Sequence, residues 1–494
     1  MTLAALVAAM SGTTLPVGPA LEVTGLALDS RRVRPGDLFF ALPGQHADGA
    51  RFALAAIEAG AVAVVGESAI DALGAPFVLA ADARRAMAEA ARAFHGDPAQ
   101  GLRVVAVTGT NGKTTTTRLL ESIFSAAGWR SGVIGTTGIR IAGEARASAF
   151  TTPEAPDLFA LLADMRKSQV RVVALEASSH ALVQQRTRGL AVDAAVFTNL
   201  TQDHLDFHGT MEAYRDAKCM LFDGRNGGDD RPATSVINVD DPAAAVFEAA
   251  ATRGGSRITR FGEAAHADVR IHGIEAAPGG LRFALTDSGR DHVVNLPLLG
   301  RFNTSNAAAA WGAARAIGLP EDAIRQGLEA APSVPGRLER VESGQAFSVV
   351  VDYAHTPDAL ERAIAACREH ATGRLLLVFG CGGDRDRGKR PQMGAISAAG
   401  SDAAWITNDN PRSEDPAHIA LEIAAGAGAA ELGVVLDRRA AIGEAIARAR
   451  SGDLVLIAGK GHETTQTIGD QVHAFDDRAV AREWLVSHAG GSAS

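Results

Sequence analysis

Cysteine is scarce in this sequence of 494 residues, and its scarcity argues against two kinds of architecture. The three cysteines, Cys219, Cys367 and Cys381, lie far apart and form no CxxC pair. An odd number at such spacings argues against a disulfide framework and against a zinc site. The chain also lacks any apolar run of about 18 residues, so we expect no membrane span. The apolar start, MTLAALVAAMSG, has no basic segment before it and predicts a short amphipathic helix rather than a signal peptide.

An excess of positive charge is missing as well. The formal net charge is −9, which gives no indication of nucleic-acid binding. Any anionic ligand must therefore be held by local groups rather than by the field of the whole protein. With 47% hydrophobic and 21% charged residues the composition is that of an ordinary globular protein. We expect the protein to lie in the cytoplasm.

The chain is too long for one hydrophobic core, and it divides into three blocks. Residues 1–98 alternate short apolar runs with helices. Residues 99–334 interleave strands and helices, which predicts an α/β fold with a doubly wound, mostly parallel sheet. Within this block, residues 264–298 predict an antiparallel subsheet. Residues 335–494 predict a separate Rossmann-like domain.

The segment Gly109–Thr115, GTNGKTT, carries the clearest signal for chemistry. It follows an apolar strand and precedes a helix, which is the setting of a phosphate-binding loop. Lys113 supplies positive charge to phosphate oxygens, and the Thr114 hydroxyl is placed for Mg²⁺. Val107 stands where the common GxxxxGK[ST] pattern has glycine, so the loop is a shortened form. A chance glycine turn is the alternative, which the flanking strand and helix disfavour.

Two further segments follow apolar strands and contain ligands suited to a hard cation. Glu176 sits at the carboxyl end of a predicted strand, where ligands gather in α/β sheets. The alternative is a surface glutamate that caps the next helix. The segment 198–218 contains acidic residues and two histidines, and His204 is the expected ligand of a second divalent ion. Lys218 closes this segment, with an ion pair on a helix surface as its structural alternative.

Amide and acidic side chains mark two more positions. Asn303 and Asn306 stand at the start of an alanine-rich helix, either as N-caps or as readers of an adenine edge. Asp352 and His355 follow another apolar strand. Asp352 can accept ribose hydroxyls, as acids do at this position in nucleotide folds, and turn chemistry is the alternative for both residues.

Three charged loops in the last block each follow an apolar strand, so they meet at one edge of the predicted sheet. They span residues 379–391, 407–416 and 458–463. Arg385 and Arg412 can bind carboxylates, and Asp409 and Glu463 can bind an ammonium group. Both signs of charge suit a zwitterion such as a free amino acid. The alternative is three solvated loops.

Nine motifs, in order along nearly the whole chain, resemble those of the Mur ligase family. They are GTNGKTTT, EASSHAL, FTNLTQDHLDFHG, GRFNTSN, GRLE, VDYAHTPD, GGDRDRGKR, DNPR and GKGHE. Within the family they are similar to the MurE branch, whose members add the third residue of the peptidoglycan peptide. The DNPR motif, 409–412, resembles the form that selects meso-2,6-diaminopimelate. The resemblance implies an ATP-dependent ligase that uses Mg²⁺, as two ions, and that acts on UDP-N-acetylmuramoyl-L-alanyl-D-glutamate.

The resemblance also implies which residues form the site. ATP contacts are implied for Gly109, Thr110, Asn111, Gly112, Lys113, Thr114, Thr115, Asn303, Arg337 and Asp352. Contacts to uridine diphosphate are implied for Leu28, Ser30, Gln45, His46 and Ala47, and to the muramoyl dipeptide for Thr151, Thr152, Ser178, Gln184 and Arg186. Contacts to diaminopimelate are implied for Arg385, Asp409, Asn410, Pro411, Arg412, Gly459 and Glu463. The implied Mg²⁺ ligands are Thr114, Glu176, His204 and a carbamylated Lys218, and the implied catalytic residues are Lys113, Lys218 and His204.

One departure and one open question remain. Phe150 stands where some relatives have a polar residue before the two threonines, which puts one substrate hydrogen bond in doubt. In the expected reaction a carboxylate is activated as an acyl phosphate and then attacked by an amine. The proton acceptor from that amine is His204, His355 or a bound water, and the sequence leaves the three open. A lysine-adding relative, a folylpolyglutamate synthase-like ligase and a P-loop nucleotide switch are the competing interpretations.

Overall fold

The chain folds around three main β-sheets. The computed structural model describes residues 1–15, 21–44, 48–70, 73–148, 150–227, 232–277, 279–428 and 432–491. Among these residues no helix combines the length and the apolar character needed to cross a membrane.

The first sheet has five strands in the order β1-β5-β4-β3-β2, all parallel except β1. The strands are β1 (Thr13–Thr14), β2 (Gly25–Ala27), β3 (Asp37–Ala41), β4 (Ala63–Gly66) and β5 (Phe77–Ala80), and the helices are α1 (Leu3–Ala9), α2 (Ala53–Glu58) and α3 (Ala83–Phe94). The predicted N-terminal helix is confirmed as α1, which buries Leu3 and Leu6. The predicted turn at 95–98 follows α3 directly, and Gly96 and Asp97 take positive φ there.

The second sheet has eleven strands in the order β16-β15-β14-β13-β12-β11-β6-β10-β7-β8-β9. The strands are β6 (Arg103–Thr108), β7 (Ser131–Gly135), β8 (Gly138–Ile141), β9 (Glu144–Arg146), β10 (Val172–Glu176), β11 (Ala194–Phe197), β12 (Thr234–Asn238), β13 (Arg257–Gly262), β14 (Val269–Ala277), β15 (Gly280–Asp287) and β16 (Arg290–Leu296). Strands β14, β15 and β16 pair antiparallel, which confirms the predicted subsheet. The strands from β7 to β14 in sheet order pair in parallel, as the α/β pattern predicts.

Helices cover both faces of this sheet. They are α4 (Lys113–Ala126), α5 (Ala155–Lys167), α6 (Ser179–Val183), α7 (Leu205–His208), α8 (Met211–Cys219), α9 (Ala244–Gly254), α10 (Phe302–Ala316) and α11 (Glu321–Glu329). Helix α4 buries Leu119, Leu120, Ile123 and Phe124, which share one helical face. Gly128, with φ +70°, follows α4 in the left-handed conformation that glycine adopts without strain.

The third sheet has six strands in the order β17-β18-β22-β19-β20-β21, parallel except for β17. The strands are β17 (Glu339–Arg340), β18 (Ser348–Asp352), β19 (Leu375–Phe379), β20 (Ala403–Ile406), β21 (Gly433–Val434) and β22 (Leu454–Ala458), followed by a hairpin of β23 (Thr465–Ile468) and β24 (Gln471–Ala474). The helices are α12 (Pro357–His370), α13 (Lys389–Gly400), α14 (Pro416–Ala424), α15 (Arg438–Arg448) and α16 (Asp477–Gly491). Strand β21 is a short, exposed edge strand that pairs with β20.

The cores differ in how they join the sheets. One apolar cluster runs from Leu6 of α1 through Met87 of α3 to Phe159 of α5, so it is shared by the first and second sheets. The other face of the second sheet packs against α4, α10 and α11. The third sheet has an apolar cluster on each of its own faces. The predicted domain boundaries at 98/99 and 334/335 fall between these sheets and stay predictions.

Candidate active site

The loop from Gly109 to Gly112 joins β6 to α4 with a backbone that favours glycine at two positions. Gly109 has φ +148° and Gly112 has φ +87°. A Cβ on Gly109 would lie 1.9 Å from Thr198 Oγ1, and one on Gly112 would lie 2.3 Å from Asn306 Oδ1. The loop therefore brings its backbone N–H groups to the N-terminus of α4, where an anion is stabilised.

Lys113 is held by the loop that it follows. Its Nζ donates to the carbonyl oxygens of Gly109 at 2.8 Å and Thr110 at 2.7 Å. Burial lowers the pKa of this ammonium group, and the nearby carboxylates of Glu176 and Asp203 oppose that shift. A phosphate at the loop would therefore compete with these carbonyl partners for the lysine.

Glu176 is the last residue of β10, as predicted, and it faces the start of α4. Its Oε2 accepts hydrogen bonds from Thr114 Oγ1 at 3.1 Å and Thr136 Oγ1 at 2.9 Å, and its Oε1 accepts one from Thr136 N at 2.9 Å. The helix-capping alternative is wrong, because Ser178 Oγ caps α6 by accepting from Ala181 N. Glu176 is 1% exposed, so its charge is held by these donors and not by solvent.

Lys218 is also buried, with 1% of its surface exposed. Its Nζ donates to Gly109 O at 2.8 Å and lies 4.2 Å from the centre of the Tyr214 ring. The surface ion pair considered as its alternative is therefore wrong. Burial, followed by the charge of Lys113, lowers the pKa of Lys218 well below its usual range. A lysine in this setting favours the neutral amine, which is the form that reacts with carbon dioxide.

His204 lies among other aromatic rings at the mouth of the site. Its φ is +54°, its ring is 4.8 Å from that of His180, and its Nε2 lies 3.5 Å from Asp203 Oδ2. Burial lowers the pKa of His204, with Asp203 opposing the shift. The pKa of His180 is lowered to about 4, chiefly by burial. Both rings are therefore neutral near pH 7.

The donor set fits one Mg²⁺ directly and a second conditionally. Thr114 and Glu176 offer the hydroxyl and carboxylate oxygens that Mg²⁺ prefers, 3.1 Å apart. The described residues hold no cluster of three or more His, Cys, Asp or Glu side chains arranged for a metal ion. Lys218 as an ammonium cannot be a ligand, whereas its carbamate would add a carboxylate beside Gly109. A second ion beside His204 therefore fits only after carbamylation.

The two asparagines of α10 contradict the N-cap interpretation. The N-cap of α10 is Arg301, whose side chain makes no capping hydrogen bond. Asn303 Nδ2 instead donates to Leu299 O at 2.6 Å, and Asn306 Nδ2 donates to Asn303 Oδ1 at 2.8 Å. This pair fixes Asn306 Oδ1 against Gly112, so it connects α10 to the phosphate loop.

Asp352 ends β18 and is 9% exposed. It accepts a hydrogen bond from Leu338 N at 2.7 Å, and burial raises its pKa to about 6 although Arg337 opposes the shift. The guanidinium of Arg337 lies 4.8 Å from the centre of the Tyr353 ring. Its Nε is buried without a hydrogen-bond partner among the described residues, so this group can donate to a further acceptor.

The residues predicted to hold the muramoyl dipeptide lie together behind Glu176. Thr152 Oγ1 donates to Glu176 O at 2.7 Å and accepts from Ser178 N at 3.2 Å. Arg186 donates to Thr152 O at 2.8 Å and to Gln184 Oε1 at 2.6 Å. Thr151 Oγ1 lies 3.1 Å from Thr136 Oγ1, which in turn bonds Glu176. These residues are therefore connected by hydrogen bonds to Glu176 at the end of β10.

Phe150, the departure noted in the sequence, contacts this set. Its ring centre lies 4.9 Å from the guanidinium carbon of Arg186, and its side chain is exposed. The aromatic face therefore packs against Arg186.

Of the residues predicted to bind uridine diphosphate, Leu28 lines a cavity of about 610 Å³ between the first sheet and the start of α5. Ser30 begins a short 3₁₀ helix, Ser30–Arg32, at the same place. Gln45, His46 and Ala47 lie outside the described residues. The cavity is lined by Pro156 and Asp157 on its second side, a few residues after Thr152.

The residues predicted to bind the amino-acid substrate surround a buried cation, Lys460, that the sequence analysis did not include. Lys460 is fully buried, and its Nζ lies 3.5 Å from Asp409 Oδ1, 3.1 Å from Asn410 Oδ1 and 3.2 Å from Glu463 Oε2. Glu463 also accepts from Asn410 Nδ2 at 2.9 Å. Two carboxylates and one ammonium leave a single negative charge, which suits one substrate ammonium group.

The two arginines differ in how they are held. Arg412 has φ +50°, donates from Nη1 to Gly383 O at 2.8 Å, and accepts at its carbonyl oxygen from Gly469 N at 2.7 Å. Arg385 is exposed, and within the described part of the chain its side chain donates to Asp384 O alone. The hairpin of β23 and β24 thus positions Arg412, while Arg385 is held by its neighbour in sequence.

One cleft of about 1100 Å³ brings the second and third sheets together. Asp203 and His204 line its second-sheet side. Its third-sheet side collects most of the predicted diaminopimelate residues, namely Arg385, Asp409, Asn410, Arg412, Gly459 and Glu463. Pro411 does not line the cleft, nor do Lys113, Glu176 and Lys218, which lie deeper. Asp358 also lines the cleft and accepts a hydrogen bond from Asn111 Nδ2 at 3.1 Å, so the zwitterion site lies beside the phosphate loop.

Known proteins with this arrangement identify the family. Residues 22–95 match "Mur ligase family, catalytic domain", 107–314 match "Mur ligase middle domain" and 336–461 match "Mur ligase, glutamate ligase domain". A UDP-N-acetylmuramoyl-L-alanyl-D-glutamate--2,6-diaminopimelate ligase of Geobacillus thermodenitrificans is 45% identical over 98% of this chain and 99% of its own. The chain belongs to the Mur ligase family.

Solved structures agree with this membership. The structure of a UDP-N-acetylmuramoyl-L-alanyl-D-glutamate--2,6-diaminopimelate ligase is 36% identical, with a TM-score of 0.69 over 96% of this chain and 98% of that one. A folylpolyglutamate synthase of Mycobacterium tuberculosis, solved with ADP and AMPPCP, is 19% identical, with a TM-score of 0.63 over 81% of this chain and 94% of that one. At that identity the second likeness shows a shared fold alone. The predicted three-domain Mur ligase fold is confirmed.

This Mur ligase also has site residues that sequence reasoning missed. Asp358 Oδ2 accepts from Asn111 Nδ2 at 3.1 Å and from Thr201 Oγ1 at 3.4 Å, so it joins α12 to the phosphate loop. Burial alone would raise the pKa of Asp203, but its position beside His204, His355 and Lys113, with a hydrogen bond from the His204 backbone, keeps that pKa below the usual range. Asp358 belongs to the motif VDYAHTPD and Lys460 to the motif GKGHE. Only the fold shows that Asp358 contacts the phosphate loop and that Lys460 contacts Asp409 and Glu463.

Proposed function

We propose that this chain joins meso-2,6-diaminopimelate to the D-glutamate γ-carboxylate of UDP-N-acetylmuramoyl-L-alanyl-D-glutamate, with ATP converted to ADP and phosphate. The observation that carries the proposal is a cleft lined by a site with both signs of charge and by Asp358, whose carboxylate accepts a hydrogen bond from Asn111 of the phosphate loop. The near-full-length relatives named for this reaction support it.

The first half of the reaction belongs to the edge of the second sheet. A carboxylate is a poor acyl donor, so its oxygen attacks the γ-phosphorus of ATP and becomes an acyl phosphate. Lys113 transfers from the loop carbonyls to the γ-phosphate oxygens and stabilises their developing charge. Mg²⁺, held by Thr114 and Glu176, supplies further neutralisation of phosphate charge when bound. Thr151, Thr152, Ser178, Gln184 and Arg186 orient the carboxylate beside Glu176.

The second half belongs to the edge of the third sheet. Arg385 and Arg412 bind carboxylates of diaminopimelate, while Asp409 and Glu463 bind its ammonium group at the far end of the molecule. The second amine then reaches the acyl carbon. Asp352, Arg337 and Asn303 hold the nucleotide, so ATP contacts both sheets. We therefore expect the two sheets to approach each other during turnover and to exclude water.

Lysine is the alternative amine, and the loop from Asp409 to Arg412 favours diaminopimelate. Lysine lacks the second carboxylate that Arg412 would bind. Arg412 lines the cleft. Its left-handed backbone and its hydrogen bond to Gly383 O hold the guanidinium there, where it can bind a carboxylate of diaminopimelate. A nucleotide switch would leave this charged cleft without a ligand.

Three finer features complete the proposal. We expect two Mg²⁺ ions, the second after carbamylation of Lys218. We expect a monomer, since one chain supplies both sides of the cleft. We place the reaction in the cytoplasm, where ATP and nucleotide-linked sugars are available.

A phosphate-release assay tests this function. The protein is incubated with ATP, Mg²⁺ and the UDP-muramoyl dipeptide, and phosphate is measured with meso-diaminopimelate, lysine, glutamate or no amine. We expect release and a tripeptide product with diaminopimelate, and at least about tenfold lower kcat/KM with lysine, as the loss of one charged hydrogen-bonded contact implies. Equal turnover with glutamate, or release that does not depend on the dipeptide, would refute the proposal.

A further inference from the structure

The ring of His355 lines the cleft in a tautomer that the fold determines. This residue stands between β18 and α12, and its Nδ1 lies 2.8 Å from the carbonyl oxygen of Tyr353. A carbonyl only accepts, so Nδ1 carries the proton and donates. In the neutral ring, Nε2 is then the atom with the free lone pair. Among the described residues no hydrogen bond is made by Nε2, and the residue lines the cleft.

The surroundings of His355 keep this ring neutral. Burial, followed by the charge of Lys389, lowers its pKa, while Asp203 and Asp409 oppose the shift. Lys389 Nζ donates to the backbone oxygen of His355 at 2.8 Å, so this positive charge is fixed. Tyr353 and His462 are the other titratable groups near it, and the Tyr353 ring packs 4.6 Å away. The pKa of His462 is lowered to about 4, so it adds no charge near pH 7.

Three other bases of the cleft, His204, Asp409 and Glu463, are engaged elsewhere. His204 pairs with Asp203 and is the expected ligand of the second ion, which would occupy its lone pair. Asp409 and Glu463 are bound by Lys460 and are needed for the ammonium group that does not react. His355 lies between these two sets, with Asp203 and Asp409 both close enough to affect its charge.

We infer that Nε2 of His355 accepts the proton from the attacking amine, a step that rests on the proposed ligase function. The substrate ammonium gives one proton to Nε2, and the freed electron pair forms the C–N bond to the acyl carbon. As the C–N bond forms, the C=O π pair moves to the acyl oxygen. That pair then re-forms the C=O bond while the C–O bond to phosphate breaks, and phosphate leaves with the electron pair of the broken C–O bond. The second N–H proton of the adduct goes to the departing phosphate, and the imidazolium returns its proton to solvent.

The matched pair His355→Asn and His266→Asn tests this role. The introduced amide can still donate to Tyr353 O but has no basic nitrogen, so the loop should keep its fold. His266 is exposed and does not line the cleft, so its variant controls for loss of a histidine. Acyl phosphate is measured separately from ligation, by trapping it with hydroxylamine in the absence of diaminopimelate. Melting temperatures of all three proteins check folding.

We expect His355→Asn to form hydroxamate within about threefold of wild type and to ligate about 10²- to 10⁴-fold more slowly, the range of general base catalysis. The acid limb of kcat/KM for diaminopimelate should lie below the ordinary imidazole range in wild type. In the variant this acid limb should be absent. Its kcat/KM should instead rise with pH as the free amine form of diaminopimelate accumulates. Added imidazole should partly restore ligation by His355→Ala.

Ligation within about threefold of wild type by a folded His355→Asn protein would overturn the inference, since general base catalysis is worth far more than that. Hydroxamate formation that falls as much as ligation would also overturn it, since His355 would then act in the ATP half-reaction. Failure of wild type to ligate diaminopimelate would instead refute the proposed function, so the two failures are distinguishable.

Discussion

The edges of the second and third sheets have similar topology, but their charged groups are buried at one edge and line an open cleft at the other. At the second sheet the charged groups are buried and bonded to the protein: Lys113 to loop carbonyls, Glu176 to two threonines, Lys218 to Gly109 O. At the third sheet Arg385 is exposed and lines an open cleft together with Arg412. The same position after a parallel strand can therefore carry either a prearranged reaction centre or an open recognition surface.

The difference follows from the tasks proposed for the two edges, phosphate chemistry at the second sheet and amino-acid recognition at the third. Charge that develops at a phosphate is stabilised best by groups that need no rearrangement, and burial strengthens their effect. Recognition of an incoming amino acid requires access, so its arginines line the open cleft while one buried lysine, Lys460, holds the acidic pair in place. Substitutions should follow this division, with chemical steps lost at the second sheet and binding lost at the third.

The largest effect is expected for Lys113→Ala. Removal of the cation that the loop holds at the N-terminus of α4 should lower acyl-phosphate formation by about 10³-fold or more, with the KM for diaminopimelate unchanged. Hydroxylamine trapping measures this step directly. Near-normal trapping would contradict the assignment of the second sheet to phosphate chemistry.

Lys218→Ala should follow, with turnover lower by about 10²-fold because the carbamate that completes the second metal site cannot form. Lys218→Arg is the matched control, since arginine can still donate a hydrogen bond to Gly109 O but forms no stable carbamate. If Lys218 serves only to brace Gly109, arginine should restore turnover. Intact-protein mass spectrometry under native conditions, with and without bicarbonate, checks for the carbon dioxide adduct.

Asp352→Asn tests a buried carboxylate at the edge of the third sheet. Its folded pKa of about 6 exceeds the unfolded value of 3.8, so the folded state binds the proton more tightly. The contribution of Asp352 to stability, on the order of 3 kcal/mol, is therefore fully present below about pH 4 and is lost as pH rises through about 6. Asparagine removes this loss and can still accept from Leu338 N. Melting curves of both proteins across this pH range should diverge, and parallel curves would contradict the shift.

The smallest effect is expected for Arg412→Ala, which should raise the KM for diaminopimelate about tenfold and leave kcat and acyl-phosphate trapping nearly unchanged. Lysine turnover, which uses no second carboxylate, should change less. Steady-state kinetics with both amines measures the contrast. A fall in kcat with constant KM would move Arg412 to the chemical step.

The sequence was a good guide wherever an apolar strand ended in a polar loop. Strands β11, β19 and β20 each end in a polar loop, and Glu176 and Asp352 each close a strand as expected. Alternation of strands and helices decides this order locally, and parallel pairing then collects the loops at one edge.

Partners across the fold were not predictable in the same way. Asn303 and Asn306 have the residue type of helix caps, yet tertiary contacts to Leu299 and Gly112 engage them instead. Lys218 on an amphipathic helix looks the same in sequence whether its Nζ meets solvent or Gly109 O. That contact joins residues 109 positions apart, a separation that local patterns do not encode.

The contact between Asp358 and Asn111 has a consequence for the order of events. Asp358 lies in the first turn of α12 beside the third sheet, and its oxygen bonds the same loop that must receive ATP phosphates. A negatively charged side chain and a triphosphate compete for the donors of one loop. We therefore expect ATP binding to weaken this contact between the phosphate loop and α12, which would loosen the link between the second and third sheets.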